Sequence, residues 1–119
     1  NINFYQRDFL KYKFKKKYDL IVSNPPYINK FDFHKLPPEI KSYEPAIALT
    51  DFSDGFKFYN AIFSQLNSIL NTGGVLLIEI GLENTKETIN NIFQNNTFKL
   101  SWHKDLNGNY RILEVQHDV

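Results

Sequence analysis

Two short runs of mostly apolar residues constrain the fold of this 119-residue chain more than any other feature. Tyr18–Ser23 is rich in branched apolar residues, and residues 75–80 are interrupted by Glu79 alone. Such runs are typical of strands buried on both faces of a parallel sheet. Parallel strands need a crossover connection, and residues 56–70 place their apolar side chains on one face of a helix. The sequence therefore predicts an α/β protein.

The remaining elements fit an open sheet in which one strand runs against the others. They are a strand at residues 2–5, a weaker helix at residues 83–95, and strands at Phe98–Lys104 and residues 110–116. The last two strands flank an Asn107-Gly108 pair, which is typical of hairpin turns. Residues 24–54 are rich in Pro, Lys and aromatic residues, and a loop of this length in a compact domain is usually functional. We expect one domain at most.

The composition excludes several classes of function. The chain has no Cys, which excludes disulfides and Cys nucleophiles, and its three His have no metal-ligand spacing, so we expect no metal site. The net charge of +1 indicates no polyanionic partner, although five Lys within residues 11–17 leave RNA contact open. No apolar run approaches the ~18 residues of a membrane span and no signal peptide opens the chain. We therefore expect a cytoplasmic protein.

The end of the first apolar run has an unusual sequence, Asn24-Pro25-Pro26-Tyr27. In open α/β sheets, ligands bind beyond the carboxyl ends of the strands, where Asn24 would lie. Each Pro fixes its own φ and holds the residue before it extended, so this corner is stiff. It displays two acceptors, the side-chain oxygen of Asn24 and the backbone oxygen of Pro25, beside the flat ring of Tyr27.

Two convergent acceptors match a planar –NH2 group, as found in a carboxamide or on a nucleobase. The nitrogen of such a group is a poor nucleophile because its lone pair is delocalised. Oxygens that hold both hydrogens can turn the lone pair towards an electrophile and stabilise the positive charge that develops. A stiff structural turn would explain the same four residues, but their place after a buried strand favours the functional interpretation.

The four residues resemble the (Asn/Asp/Ser)-Pro-Pro-(Tyr/Phe/Trp) motif of S-adenosylmethionine-dependent amino methyltransferases. One group with this motif methylates the exocyclic amine of adenine or cytosine, and the other methylates glutamine in peptide release factors. Further stretches are similar to the glutamine group. They are Tyr43-Glu44-Pro45 with Ala48-Leu49, Asp54-Gly55 with Tyr59, the Gly-Gly-x-Leu-x-x-Glu-Ile-Gly pattern at residues 73–81, and Lys104-Asp105-Leu106 with Gly108 and Arg111.

This resemblance implies a Rossmann-like class I methyltransferase sheet, S-adenosyl-L-methionine as the cofactor and a peptide chain release factor as the partner, methylated in its Gly-Gly-Gln motif. The residues carried over by position are Asn24, Pro25, Pro26 and Tyr27 for the substrate, with Asn24, Pro25 and Tyr27 in the catalytic role, and Asp8, Phe9 and Asn24 for the cofactor. Asp8-Phe9 matches a pair that closes the preceding strand in the family.

The chain also departs from the family. It has no G-x-G loop to hold the cofactor, and Asp51-Phe52-Ser53 stands where the family usually has a glycine pair. We therefore expect residues 1–119 to form the C-terminal part of a methyltransferase domain that lacks the first strands and is inactive alone. Two alternatives are open. A nucleic-acid amino methyltransferase would want a basic groove for a flipped base, and a non-catalytic fragment would need no cofactor loop.

Overall fold

The computed structural model describes residues 1–82 and 84–118. Its elements are, in chain order, β1 (Tyr18–Ser23), α1 (Lys30–His34), α2 (Pro38–Tyr43), α3 (Ala46–Leu49), α4 (Lys57–Ile69), β2 (Leu70–Glu79), α5 (Lys86–Phe93), β3 (Phe98–Lys104) and β4 (Tyr110–His117). The predicted α/β class is confirmed. Within the described residues, no helix is long and apolar enough to cross a membrane.

The four strands form one sheet in the order β1-β2-β4-β3. β1 pairs with β2 in parallel, and β4 runs antiparallel to both β2 and β3. The predicted arrangement, with a single antiparallel strand supplied by the closing hairpin, is therefore confirmed. Because β1 and β2 are parallel, their carboxyl ends lie at the same edge of the sheet, close to the amino end of β4.

One face of the sheet carries the core. The apolar stripe of α4 and the shorter stripe of α5 pack together against alternate residues of the strands. The fully buried members of this core include Tyr59, Leu66, Leu70, Leu76, Ile78, Ile89, Phe93, Leu113 and Val115. These helices were predicted at residues 56–70 and 83–95, and the described residues confirm the face of each that is buried. Position 83 lies outside the described residues.

The opposite face of the sheet is open, which makes the prediction that β1 is buried on both faces wrong. Leu20 and Val22 point away from the core and are 58% and 71% exposed. Ile21, between them, packs against the core. β1 has one strand neighbour within the described residues, and the side chains of Leu20 and Val22 remain mostly exposed.

The predicted strand at residues 2–5 is also wrong. Residues 1–8 form neither helix nor strand, and Ile2, Phe4 and Tyr5 are each at least 74% exposed. A strand needs a neighbour to satisfy its backbone groups, and none of the four described strands pairs with this segment. Asp8 therefore follows no strand; its backbone oxygen instead accepts from the amides of Lys11 and Tyr12 in a turn.

Two further boundaries differ from the sequence-based expectation. β2 begins at Leu70 rather than at position 75, because the strand follows α4 directly. Gly73, which has φ of 79°, lies in an irregular stretch near the start of β2. Residues 24–54 were expected to be a loop, but they contain the short helices α1, α2 and α3. Asn29 caps α1 with its side-chain oxygen, which accepts from the amides of Phe31 and Asp32.

Candidate active site

The segment Asn24-Pro25-Pro26-Tyr27 lies directly after β1, at the edge where β1 and β2 both end. Asn24 is exposed, Pro25 is buried, and Pro26 and Tyr27 are half-buried. Among the described residues, no group donates to or accepts from the Asn24 carboxamide. The structure thus presents a polar side chain at the open end of a rigid, proline-fixed corner.

Backbone hydrogen bonds connect the residues after Tyr27 to the end of α3 and to the segment that follows it. The amide of Ile28 donates to the oxygen of Leu49 at 3.1 Å, and the amide of Asp51 donates back to Ile28 at 3.3 Å. Lys30 adds a third backbone hydrogen bond, to the oxygen of Ser53 at 3.0 Å. These bonds bring the end of α3 against the corner, and a small cavity forms between the corner and residues 44–49.

We refer to this cavity as the slot. It has a volume of about 220 Å³ and is lined by Asn24, Pro25, Pro26, Tyr27, Ile28, Glu44, Ala48 and Leu49. Its volume lies below the ~300–1,000 Å³ typical of pockets for drug-sized ligands. The slot therefore has room for a small planar group such as a carboxamide. Its lining joins two stretches singled out in the sequence, residues 24–27 and the Glu44-Pro45-x-x-Ala48-Leu49 pattern.

Two glycines hold Tyr27 at close range. A Cβ on Gly81 would lie 2.7 Å from Cε2 of the Tyr27 ring, and a Cβ on Gly55 would lie 2.8 Å from the Tyr27 backbone oxygen. Gly55 also has φ of 92°, a conformation that side chains rarely adopt. Any other residue at these positions would displace Tyr27.

The hydroxyl of Tyr27 meets an ion pair that spans two strands. Nη2 of Arg111, at the start of β4, donates to Oε1 of Glu79 at 2.9 Å and lies 3.3 Å from the Tyr27 hydroxyl oxygen, to which it also donates. Tyr59 donates its own hydroxyl to the Glu79 backbone oxygen at 3.0 Å. Burial raises the pKa of Tyr59 above its ordinary value, so this hydroxyl stays a neutral donor.

Asp51 organises the turn that leads into α4. Its buried carboxylate accepts from the amides of Ser53, Gly55 and Lys57 at 2.8, 2.8 and 3.1 Å. Phe52, which lies between Asp51 and Ser53, has φ of 56°. That left-handed conformation is the one that glycine adopts most readily, so the backbone at this departure from the family pattern still has a glycine-like shape.

No family model matches the chain, but curated proteins do. The chain is 45% identical over 115 residues to a release factor glutamine methyltransferase of Fusobacterium nucleatum subsp. nucleatum, covering 95% of this chain and 32% of that protein. A Clostridium botulinum protein of the same name is 39% identical over 105 residues, covering 87% of this chain and 37% of that protein. The chain is a relative of the release factor glutamine methyltransferases. It spans about a third of the length of these two relatives.

A solved structure shares the fold. The crystal structure of a protein-(glutamine-N5) methyltransferase (release factor-specific) from Alicyclobacillus acidocaldarius superposes with a TM-score of 0.57 at 24% identity. The match covers 87% of this chain and 50% of that one. The Rossmann-like methyltransferase fold implied by the sequence is therefore confirmed, and so is the resemblance to the release factor glutamine methyltransferase family.

Every stretch that resembles the release factor glutamine methyltransferases contributes to the surroundings of Tyr27. The Glu-Pro-x-x-Ala-Leu pattern lines the slot, and the Asp-Gly-x-x-x-Tyr pattern supplies Gly55 and Tyr59. The Glu-Ile-Gly pattern supplies Glu79 and Gly81, and the closing hairpin supplies Arg111. Sequence reasoning gave these last three residues no role. The available signal was that Glu79, Gly81 and Arg111 belong to separate motifs of one family, because residues of such motifs can share one site.

The residues expected to hold the cofactor divide between two cavities. Asp8 and Phe9 line a second cavity of about 490 Å³ together with Pro26, Thr50, Asp51 and Phe52, whereas Asn24 lines the slot. Pro26 lines both. The second cavity is also lined by the charged residues Arg7 and Lys57. The half-exposed carboxylate of Asp8 accepts from the amide of Leu10 and lies in this lining beside the aromatic rings of Phe9 and Phe52, and a carboxylate beside aromatic rings fits the nucleoside end of S-adenosylmethionine.

Proposed function

We propose that this chain forms part of an S-adenosylmethionine-dependent methyltransferase domain whose reaction adds a methyl group to the side-chain amide nitrogen of glutamine. The proposed substrate is the Gly-Gly-Gln motif of a peptide chain release factor. The observation that carries the proposal is the slot, which puts Asn24 and Pro25 on the wall of a cavity small enough for a carboxamide. The names of the relatives support the same substrate.

In this proposal Asn24 and Pro25 are the groups that act on the amide. The side-chain oxygen of Asn24 and the backbone oxygen of Pro25 accept one hydrogen each from the –NH2 group and stabilise the positive charge that grows on nitrogen. Once the N–CH3 bond has formed, the nitrogen releases one of its two protons to solvent. Tyr27 packs against the planar face of the amide, and Pro26 completes the binding surface. Asp8 and Phe9 in the second cavity, together with Asn24 in the slot, would hold S-adenosylmethionine, which would supply the methyl group.

The walls of the slot favour glutamine over a nucleobase. A flipped base needs phosphate contacts from basic side chains. Among the described residues, the lining of the slot includes Glu44 and no Lys or Arg. The surrounding segment has no basic excess either, because its three lysines, Lys30, Lys35 and Lys41, are matched by the acidic residues Asp32, Glu39, Glu44 and Asp51.

The test replaces the matching 115-residue segment of the Fusobacterium nucleatum relative with this chain, because the chain spans 32% of that protein. The graft is assayed for transfer of labelled methyl groups to a release factor, to its Gln→Ala variant in the Gly-Gly-Gln motif, and to mixed DNA and RNA oligonucleotides. The unmodified relative serves as the positive control.

We expect labelling of the release factor, loss of labelling in the Gln→Ala variant and no labelling of oligonucleotides. Methyl incorporation into nucleic acid, or undiminished labelling of the Gln→Ala variant, would overturn the proposed substrate. A folded graft that labels no substrate, beside an active positive control, would overturn the proposed activity.

A further inference from the structure

We propose that Glu79 and Arg111 are positioning residues that hold the Tyr27 ring in place as a fixed wall of the slot. The proposal concerns the ring itself, and it rests on the proposed function for the identity of what enters the slot. Neither residue lines the slot, so their effect on a ligand would act through Tyr27.

The hydrogen bonds form a short chain from the sheet to the ring. Arg111 uses one nitrogen, Nη2, for both Glu79 at 2.9 Å and the Tyr27 hydroxyl at 3.3 Å. The side chains of Arg111 and Glu79 are 24% and 29% exposed, so water competes weakly for their contact. A partly buried guanidinium that is fixed by a carboxylate is a well-oriented donor for a phenol oxygen.

The backbone makes this chain of contacts rigid. Arg111 and Glu79 lie on the adjacent antiparallel strands β4 and β2, where Glu79 stands opposite Ile112. The amide of Ile80 donates to the oxygen of Arg111 at 2.7 Å, which extends the ladder by one bond at this point. The ion pair is therefore attached to the sheet, whereas Tyr27 lies in a connecting segment.

Packing alone leaves space beside the Tyr27 ring. Tyr27 lines the slot and also a larger cavity of about 450 Å³, whose other lining residues include Asp32, Leu36, Leu82 and Arg111. Gly81 supports one part of the ring but carries no side chain that could enclose it. The cavity gives the ring room to swing about its Cα–Cβ bond, a motion that would carry the hydroxyl away from Arg111, and the hydrogen bond from Arg111 opposes that motion.

The test measures the Tyr27 ring by NMR in the 119-residue chain labelled on its tyrosine rings, with Tyr27→Phe used to assign the signal. The variants are Arg111→Met and Glu79→Gln, and the matched control is Glu114→Gln, which removes the charge of a carboxylate that contacts His103 on the same hairpin. We expect the ratio of displaced to native ring positions of Tyr27, read from the loss of NOEs between the ring and Ala48 and Leu49, to rise at least about tenfold in Arg111→Met, the scale of a lost charge-assisted hydrogen bond. A smaller rise is expected in Glu79→Gln and none in Glu114→Gln.

Unchanged Tyr27 signals in both Arg111→Met and Glu79→Gln would overturn the proposal. The other tyrosine signals report whether Arg111→Met folds. If it does not, Glu79→Gln tests the proposal in its place, because Gln is a neutral isostere of Glu that keeps an acceptor for Arg111.

A second arm adds a Gly-Gly-Gln peptide, with a Gly-Gly-Glu peptide as control, and follows the side-chain amide of Asn24. A wild-type response to the Gln peptide that weakens severalfold in Arg111→Met supports the positioning role. A displaced ring with an undiminished response at Asn24 overturns the ring's role as a wall. A displaced ring with no wild-type response supports the positioning of Tyr27 and counts against the proposed function.

Discussion

At the scale of single residues, Gly81 lies where the Tyr27 ring approaches the backbone most closely. A Cβ at this position would also fall 2.6 Å from the side-chain oxygen of Asn84. Two neighbours would therefore have to move for any side chain, and one of them is the ring that lines the slot. Gly81 acts on the slot through its lack of a side chain, a role that the Glu-Ile-Gly pattern alone does not reveal.

Gly81→Ala is predicted to lower the free energy of unfolding by about 1–3 kcal/mol, the usual cost of forcing extra atoms into a packed site. The Tyr27 ring should move at the same time, because its carbons are the nearest obstacle. Denaturant unfolding measures the first effect, and the ring signals of labelled tyrosine measure the second.

Gly108→Asn is the control for that substitution. Gly108 has φ of 81° with nothing within 4 Å of an added Cβ, and Asn tolerates the left-handed conformation. We expect a change within about 0.5 kcal/mol for this surface position. An equal loss of stability in the two variants would show that the close contact with Tyr27 is not the cause.

At the scale of elements, the turn between β3 and β4 explains the spacing of the Lys-Asp-x-x-Gly-x-x-Arg pattern. Asp105 accepts through Oδ1 from the amides of Asn107 and Asn109 at 2.9 and 3.0 Å. Gly108 supplies the left-handed residue that closes the turn. The strand that begins at Tyr110 then places Arg111 beside Glu79. The turn at one end of the motif thus sets the position of the arginine at the other.

Asp105→Ala is predicted to lower the free energy of unfolding by about 1–2 kcal/mol, because two backbone amides lose a charged acceptor. Hydrogen exchange of the amides at the start of β4 should quicken together with this loss. Asp105→Asn keeps an acceptor in the same place and should cost clearly less. The two variants behaving alike would contradict the account of the turn.

Most elements of this fold could be predicted from periodicity because their apolar patterns coincide with their packing. The stripe of α4 and the alternation in β4 each match a buried face. The prediction of a strand at residues 2–5 was wrong because an alternating pattern does not show whether a neighbouring strand exists. The short helices α1 to α3 were missed because four to six residues give too few turns for a helical period to stand out.

The backbone conformation of residues 24–27 could be predicted from sequence, but the residues that surround them could not. Pro25 and Pro26 fix the backbone locally, so the corner after β1 could be inferred from sequence. The contact of Arg111 with Tyr27 joins residues 84 positions apart, and such pairings depend on the register of β4 against β2. Local sequence does not set that register.

At the scale of the whole molecule, the open face and the outer edge of β1 stand out. Within the described residues the far edge of β1 pairs with no strand, and its side chains Leu20 and Val22 are mostly exposed. An unpaired strand edge with exposed apolar side chains is a template for association with another chain.

We predict that the 119-residue chain self-associates as its concentration rises, and that Val22→Lys reduces this association without disturbing the core. Val22 is 71% exposed and a Lys on an edge strand opposes pairing. Leu106→Lys is the matched control, since Leu106 is fully exposed at the far hairpin turn. Sedimentation velocity over a range of concentrations provides the measurement. A monomeric wild type, or equal relief by the two lysines, would contradict this prediction.

The central claim is that Asn24 orients the amide that is methylated, and a single-turnover measurement tests it most directly. The graft described above is compared with its Asn24→Ala variant, using labelled S-adenosylmethionine and a release factor. We predict that the rate of methyl transfer falls by about 10²-fold or more, the scale seen when one preorganised polar group is lost. The stability of the variant should change little because Asn24 is exposed and makes no hydrogen bond with other described residues. A loss of less than about threefold, below the ~10²-fold scale expected for such a group, would contradict the role assigned to Asn24.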